Sequence, residues 1–111
     1  MAETREIDLG KVHVGSVERL RFTLKKKNSA GTFVAWSGID SVTITFENPD
    51  RTTQTDHVCI LEDDTSGIWY YDTTTTDVTS VGYWTVGINI VDGGIDYKYP
   101  YEVSFEAVSH P

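Results

Sequence analysis

The chain has 111 residues, 39% hydrophobic and 12% aromatic, and its 17 acidic against 9 basic side chains leave a formal charge of −8. That length fits one core of ordinary domain size, so residues 1–111 read as a single domain. The acidic excess argues against nonspecific nucleic-acid binding, which needs clustered cations, and no apolar run approaches the roughly 20 residues of a membrane span.

Met1-Ala2-Glu3-Thr4-Arg5-Glu6 lacks the basic-then-apolar layout of a secretion signal, so synthesis and folding in a cytoplasm are expected. Ile7 and Leu9 then share one parity and Val12 and Val14 the other. The slip at Gly10-Lys11 predicts a bulge or a strand that changes sheets. After Gly15-Ser16, the run VERLRFTLK sets Leu20, Phe22 and Leu24 inward and Arg19, Arg21 and Thr23 outward. Lys25-Lys26-Lys27 reads as a solvated turn closing that strand, with docking onto an acidic partner as the second reading. Phe33 to Trp36 forms a short strand, and SVTITFE sets Val42, Ile44 and Phe46 inward before the turn Asn48-Pro49-Asp50.

Strands are also expected from Gln54 to Leu61 and from Gly67 to Thr73. Their faces stay open, because Val58 and Ile60 compete with Cys59 and Leu61, and Ile68 and Tyr70 with Trp69 and Tyr71. No segment sustains a helical period, the best place for a single turn being Thr76 to Ser80, and the clearest signal of all follows it, Gly82 to Val108, two strict alternations joined by Asp92-Gly93-Gly94. Trp84, Val86, Ile88 and Ile90 line one face of its first strand; Tyr101, Val103, Phe105 and Ala107 line one face of the second. Seven or so short strands separated by turns indicate an all-β fold, an immunoglobulin-like antiparallel β-sandwich. DVTSVGYW resembles the acid-to-aromatic corner of such domains, which makes Trp84 the corner aromatic and Val86 a core residue.

Chemistry finds little support in the residues. His13, His57 and His110 are scattered and read as surface histidines, and neither a nucleophile elbow nor a phosphate-cradling loop is present. Cys59, the lone cysteine, reads as a small buried hydrophobe, so no intrachain disulfide is expected. Glu62, Asp63 and Asp64, with Asp72 or Asp77, offer oxygen ligands for calcium, but without EF-hand spacing they read as a solvated loop. The expectation is therefore a non-enzymatic protein with no cofactor and no metal. Tyr97, Tyr99 and Tyr101 recur at a spacing of two; Tyr101 joins the core, and Tyr97 and Tyr99, nearer the hairpin, form the candidate interaction surface. Trp36, Trp69, Trp84, Tyr70 and Tyr71 keep a carbohydrate-binding module as the alternative, since sandwich domains present aromatics to sugars.

The order of these features resembles the N-terminal domain of phage baseplate upper proteins and related immunoglobulin-like modules of tailed-phage structural proteins. The likeness spans most of the chain: Gly15 ahead of LRFTLK, the glycine turn at Gly31, the run ending at Ser37-Gly38, VTITFENPD, SGIWYY, VGYWTVGINIVDGG and YKYPYEVSFEA. It implies a virion component of a tail or baseplate, made in the host cytoplasm, that binds other virion subunits or copies of itself and performs no chemistry. Members of that family often continue into longer downstream regions, whose roles do not transfer.

Overall fold

A computed structural model describes residues 7–99 and 103–109 of the chain. Eleven strand segments account for its regular structure: β1 Ile7–His13, β2 Arg19–Thr23, β3 Lys25–Lys27, β4 Phe33–Ala35, β5 Ser41–Glu47, β6 Gln54–Val58, β7 Ile60–Asp63, β8 Ile68–Asp72, β9 Gly82–Asp92, β10 Ile95–Lys98 and β11 Val103–Val108. The larger sheet runs β1-β11-β9-β5-β6, with β10 added to β9. A second sheet runs β2-β8-β7, and β3 pairs with β4.

Opposed residues of an antiparallel pair point to the same face, so period-two alternation in each strand sums to one apolar surface per sheet. In the larger sheet Phe46 stands opposite Val86 and Val86 opposite Val103, while Trp84 faces Phe105. In the second, Phe22 stands opposite Trp69 and Leu20 opposite Tyr71. Leu20, Phe22 and Trp69 share one buried cluster with Val42, Ile44, Phe46, Trp84, Val86, Ile88, Ile90, Val103, Phe105 and Ala107. The protein is all-β, and two sheets that fill a common core are compatible with a β-sandwich. Phe46 ties the layers together: its ring lies edge-on to Phe105 at 5.3 Å in its own sheet and to Tyr71 at 5.9 Å in the other.

Several expectations change in detail. The parity slip near Gly10 is a bulge between Asp8 and Lys11, and β1 stays in one sheet, parallel to β11. Lys25-Lys26-Lys27 is the strand β3 rather than a turn. Leu24 interrupts the run because its amide bonds to the Gly67 carbonyl at 2.8 Å and its carbonyl receives the Trp36 amide at 2.9 Å, which hands the strand from β8 to β4. Gly67 must be glycine: its φ is +69°, and a Cβ there would lie 2.6 Å from the Leu24 carbonyl oxygen. Residues Thr76 to Ser80 form no helix; Asp77 closes a turn instead, accepting the Thr74 amide on Oδ2 at 2.8 Å.

The final hairpin forms as read, with Gly93 and Gly94 both at positive φ (61° and 79°) in the two-residue connection. Its return strand is split: Lys98 pairs with Asn89 but Val103 with Val86, a register shift of two residues. An even shift preserves the face, so Val103, Phe105 and Ala107 stay buried. Tyr101 lies outside the described residues. At the corner, Trp84 is buried, stacks on Phe105 at 5.8 Å and donates its indole N–H to the Ser80 carbonyl at 2.9 Å.

Adjacent residues of β9 test this packing. Trp84→Ala is expected to cost about 3 to 5 kcal/mol in urea unfolding and Tyr83→Ala, 70% exposed, within about 0.5 kcal/mol of zero. Equal losses would place both side chains wrongly.

Candidate functional site

Tyr97 and Tyr99 occupy different environments. Tyr97 sits at the hairpin rim, 41% exposed, with its ring edge-on to Trp36 at 5.5 Å. Trp36 is itself held, donating its indole N–H to Asp92 at 2.7 Å and lying 5.6 Å beneath the Lys26 ammonium. Tyr99 is half-buried against the core, its amide bonded to the Ile88 carbonyl at 2.9 Å. The two tyrosines thus share a strand direction without forming a joint exposed platform. Tyr99 also lines a groove of about 310 Å³ with Thr45, Gln54, Gly87, Asn89 and Lys98, and Gly87 presents no side chain to it.

A second cluster was not legible in the sequence. His57 stands opposite Ile44 and therefore turns inward; it stacks on Tyr71 at 4.6 Å and lies 4.7 Å from Phe46. The surface-histidine reading fails here, since the His57 side chain is 13% exposed. The Tyr71 hydroxyl donates to Asp77 Oδ2 at 2.6 Å, and His57 Nε2 lies 4.0 Å from Asp77 Oδ1. Burial, reinforced by the Asp77 carboxylate, pushes the Tyr71 phenol well above its ordinary range. Burial works to raise the Asp77 carboxyl, but the Tyr71 hydroxyl, the Thr74 amide and His57 outweigh it and hold the group below its usual value. A phenol that keeps its proton beside a carboxylate that lacks one is a staple between β8 and the Thr74–Asp77 turn. It holds no proton ready for transfer at neutral pH.

Cys59 has the complementary role. Burial pushes its thiol up to about 12, so the reactive thiolate is scarce at neutral pH. Its amide bonds to the Val42 carbonyl at 2.9 Å, the last ladder bond to the larger sheet before the chain passes to the second. Through this bend the alternation is unbroken: Thr55, His57, Cys59 and Leu61 carry one parity and Gln54, Asp56, Val58 and Ile60 the other. Residues 54–63 therefore form the outermost strand of both sheets on one flank.

That flank carries three exposed aliphatic side chains in sequence proximity. Val58 is 71% exposed, Ile60 51% and Leu61 42%. With Cys59 bonded to Val42, antiparallel alternation aims the amides and carbonyls of Gln54, Asp56 and Val58 away from β5. Asp56, Glu62 and Asp63 punctuate it with negative charge. Among the described residues no three His, Cys, Asp or Glu side chains are grouped to hold a metal ion. The loop carboxylates are engaged elsewhere: Glu62 with Arg21, Asp63 with the Ser66 amide and Asp64 with the Gly38 amide.

No protein-family model matches the chain, and no curated protein matches its sequence.

Asp77 gives the pH test. Its carboxyl is held below the unfolded value of about 4, so its contribution is full above that pH and is lost as pH falls through the lower folded value. Asp77→Asn is expected to unfold at lower urea than wild type at pH 7, with the difference shrinking under acid. A constant difference from pH 7 to pH 2 would remove Asp77 from this role.

Proposed function

We propose that the chain is an immunoglobulin-like β-sandwich that serves as a non-enzymatic structural or adaptor module, in the tail or baseplate of a tailed-phage particle, and acts through protein–protein contacts. The strand order supports the fold: β1 beside β11 in parallel, then β9, β5 and β6, against β2, β8 and β7, with the chain passing from one sheet to the other between β6 and β7. The observation that carries the function is the flank of residues 54–63, where unpaired backbone groups and three exposed aliphatic side chains lie together. An edge of that kind is a template for another chain's strand. The phage setting rests on the motif order from LRFTLK to YKYPYEVSFEA and on its resemblance to baseplate modules.

The interior cluster favours this reading over catalysis, because the Tyr71 hydroxyl is committed to Asp77 and its ring to His57. Carbohydrate binding is the second reading, favoured by the 310 Å³ groove over Gly87 with Tyr99 on its wall. Trp69 and Trp84 lie in the core, and Trp36 is packed under Lys26, so the tryptophans supply no open stacking face comparable to a sugar platform.

Two observations separate the readings. The structural module is expected to be silent on a glycan array and to be encoded among tail, capsid or baseplate genes. Glycan binding that Tyr99→Ala abolishes, with polysaccharide-degrading genes alongside, would replace it with the carbohydrate reading.

A further inference from the structure

We infer that copies of this chain associate side by side, the β6–β7 flank of one copy meeting the β2–β3 flank of the next, so that the second sheet continues from copy to copy. This rests on the protein-binding reading above and names the partner as the chain itself.

Charge is divided across the width of the molecule. Six of the nine cationic residues, Lys11, Arg19, Arg21, Lys25, Lys26 and Lys27, fall on β1, β2 and β3. β1 and β2 end the two sheets on one side and contact each other; β6 and β7 end them on the other. The second flank carries Asp56 and Asp63, followed by Asp64, with Glu62 already paired to Arg21 of β2, and no Lys or Arg between Thr52 and Leu61. A chain of net charge −8 therefore presents one basic side and one acidic, apolar side. Two acidic flanks brought together would oppose like charges, which disfavours a two-fold contact, whereas unlike flanks attract.

Register adds to charge. β2 and β7 are each antiparallel to β8, hence parallel to each other, and a neighbour displaced sideways without rotation keeps that direction. Thr23 and Asp63 are both opposite Ile68. The same displacement thus brings Asp63-Asp64 of one copy alongside Thr23 to Lys25 of the next. Arg19 and Arg21 are occupied by Asp72 and Glu62 within the chain, so the lysines carry the unmatched charge. Lys26 and Lys27 stand over the rings of Trp36 and Phe33 at 5.6 Å and 5.2 Å, contacts that leave their positive charge uncancelled. Val58, Ile60 and Leu61 supply apolar area that the contact removes from water. Unlike flanks make a heterologous interface, which grows as an open filament when successive copies are displaced without rotation.

Sedimentation velocity tests this on the whole chain. Wild type is expected to associate with rising concentration at about 50 mM salt, and about tenfold more weakly at 0.5 M, where screening shortens to roughly 4 Å. Asp63→Lys with Asp64→Lys, which also gives up the bonds to the Ser66 and Gly38 amides and so melts below wild type, and separately Lys25→Glu with Lys27→Glu, should each give folded monomers; mixed in equal amounts, the two variants should associate again. A wild type that stays monomeric to about 1 mM would overturn the inference. So would a lysine-reversed variant that associates as wild type does, because that result assigns the contact to another surface. A monomeric wild type encoded among tail genes would leave the adaptor reading standing with a different subunit as partner.

Discussion

The structure depends on one geometric rule: opposed residues in an antiparallel pair share a face, so every strand must keep its parity or bury the wrong side chains. Phe46, Val86 and Val103 lie in one row across three strands and all are buried, while Trp84 and Phe105 form the next. Bulges in β1, between Asp8 and Lys11, and in β7, between Leu61 and Asp63, shift the register, but two other departures from simple strands respect the rule. A two-residue register shift separates β10 from β11 without turning a face, and the bend at Cys59 carries an unbroken alternation from one sheet to the other. Because the bend costs no parity, a single run of residues can edge both sheets.

From that bend follow both the interior staple and the outer flank. The inward parity of residues 54–63 delivers His57 onto Tyr71 and Phe46, and buries Cys59 beneath the ladder bond to Val42. The outward parity delivers Val58 and Ile60 to water. Inside the fold Tyr71 is tied to Asp77 and Trp84 to Ser80, while the buried Trp69 indole N–H has no partner among the described residues; backbone groups along the flank point away from their own sheet. An edge left in that state is a template for a partner strand, and under the proposed reading its acidic residues would select a basic one.

Sequence pattern revealed the strands with one apolar face: β2, β5, β9 and β11 alternate strictly, and their inward residues are the buried ones. It left β6 to β8 undecided because both parities there carry apolar residues, Val58 and Ile60 against Cys59 and Leu61. Only the pairing of His57 with Ile44 and of Leu61 with Trp69 resolves them. Tyr97 and Tyr99 were visible as a spacing, but their separation into a rim residue and a half-buried one depends on Trp36, which is distant in sequence. The division of charge between flanks was hidden for the same reason: linear composition cannot show that β1 and β2, from which β3 continues, end the two sheets on the side opposite β6 and β7.

Amide hydrogen exchange, followed residue by residue in about 0.5 M salt, where charge attraction is screened to roughly 4 Å, tests the shared edge most directly. The account predicts protected amides at His57 and Cys59, bonded to β5, and fast exchange at the intervening Asp56 and Val58. Uniform protection from Gln54 to Cys59, or uniformly fast exchange there, would show that this segment is not the outer strand of a sheet and would contradict the account.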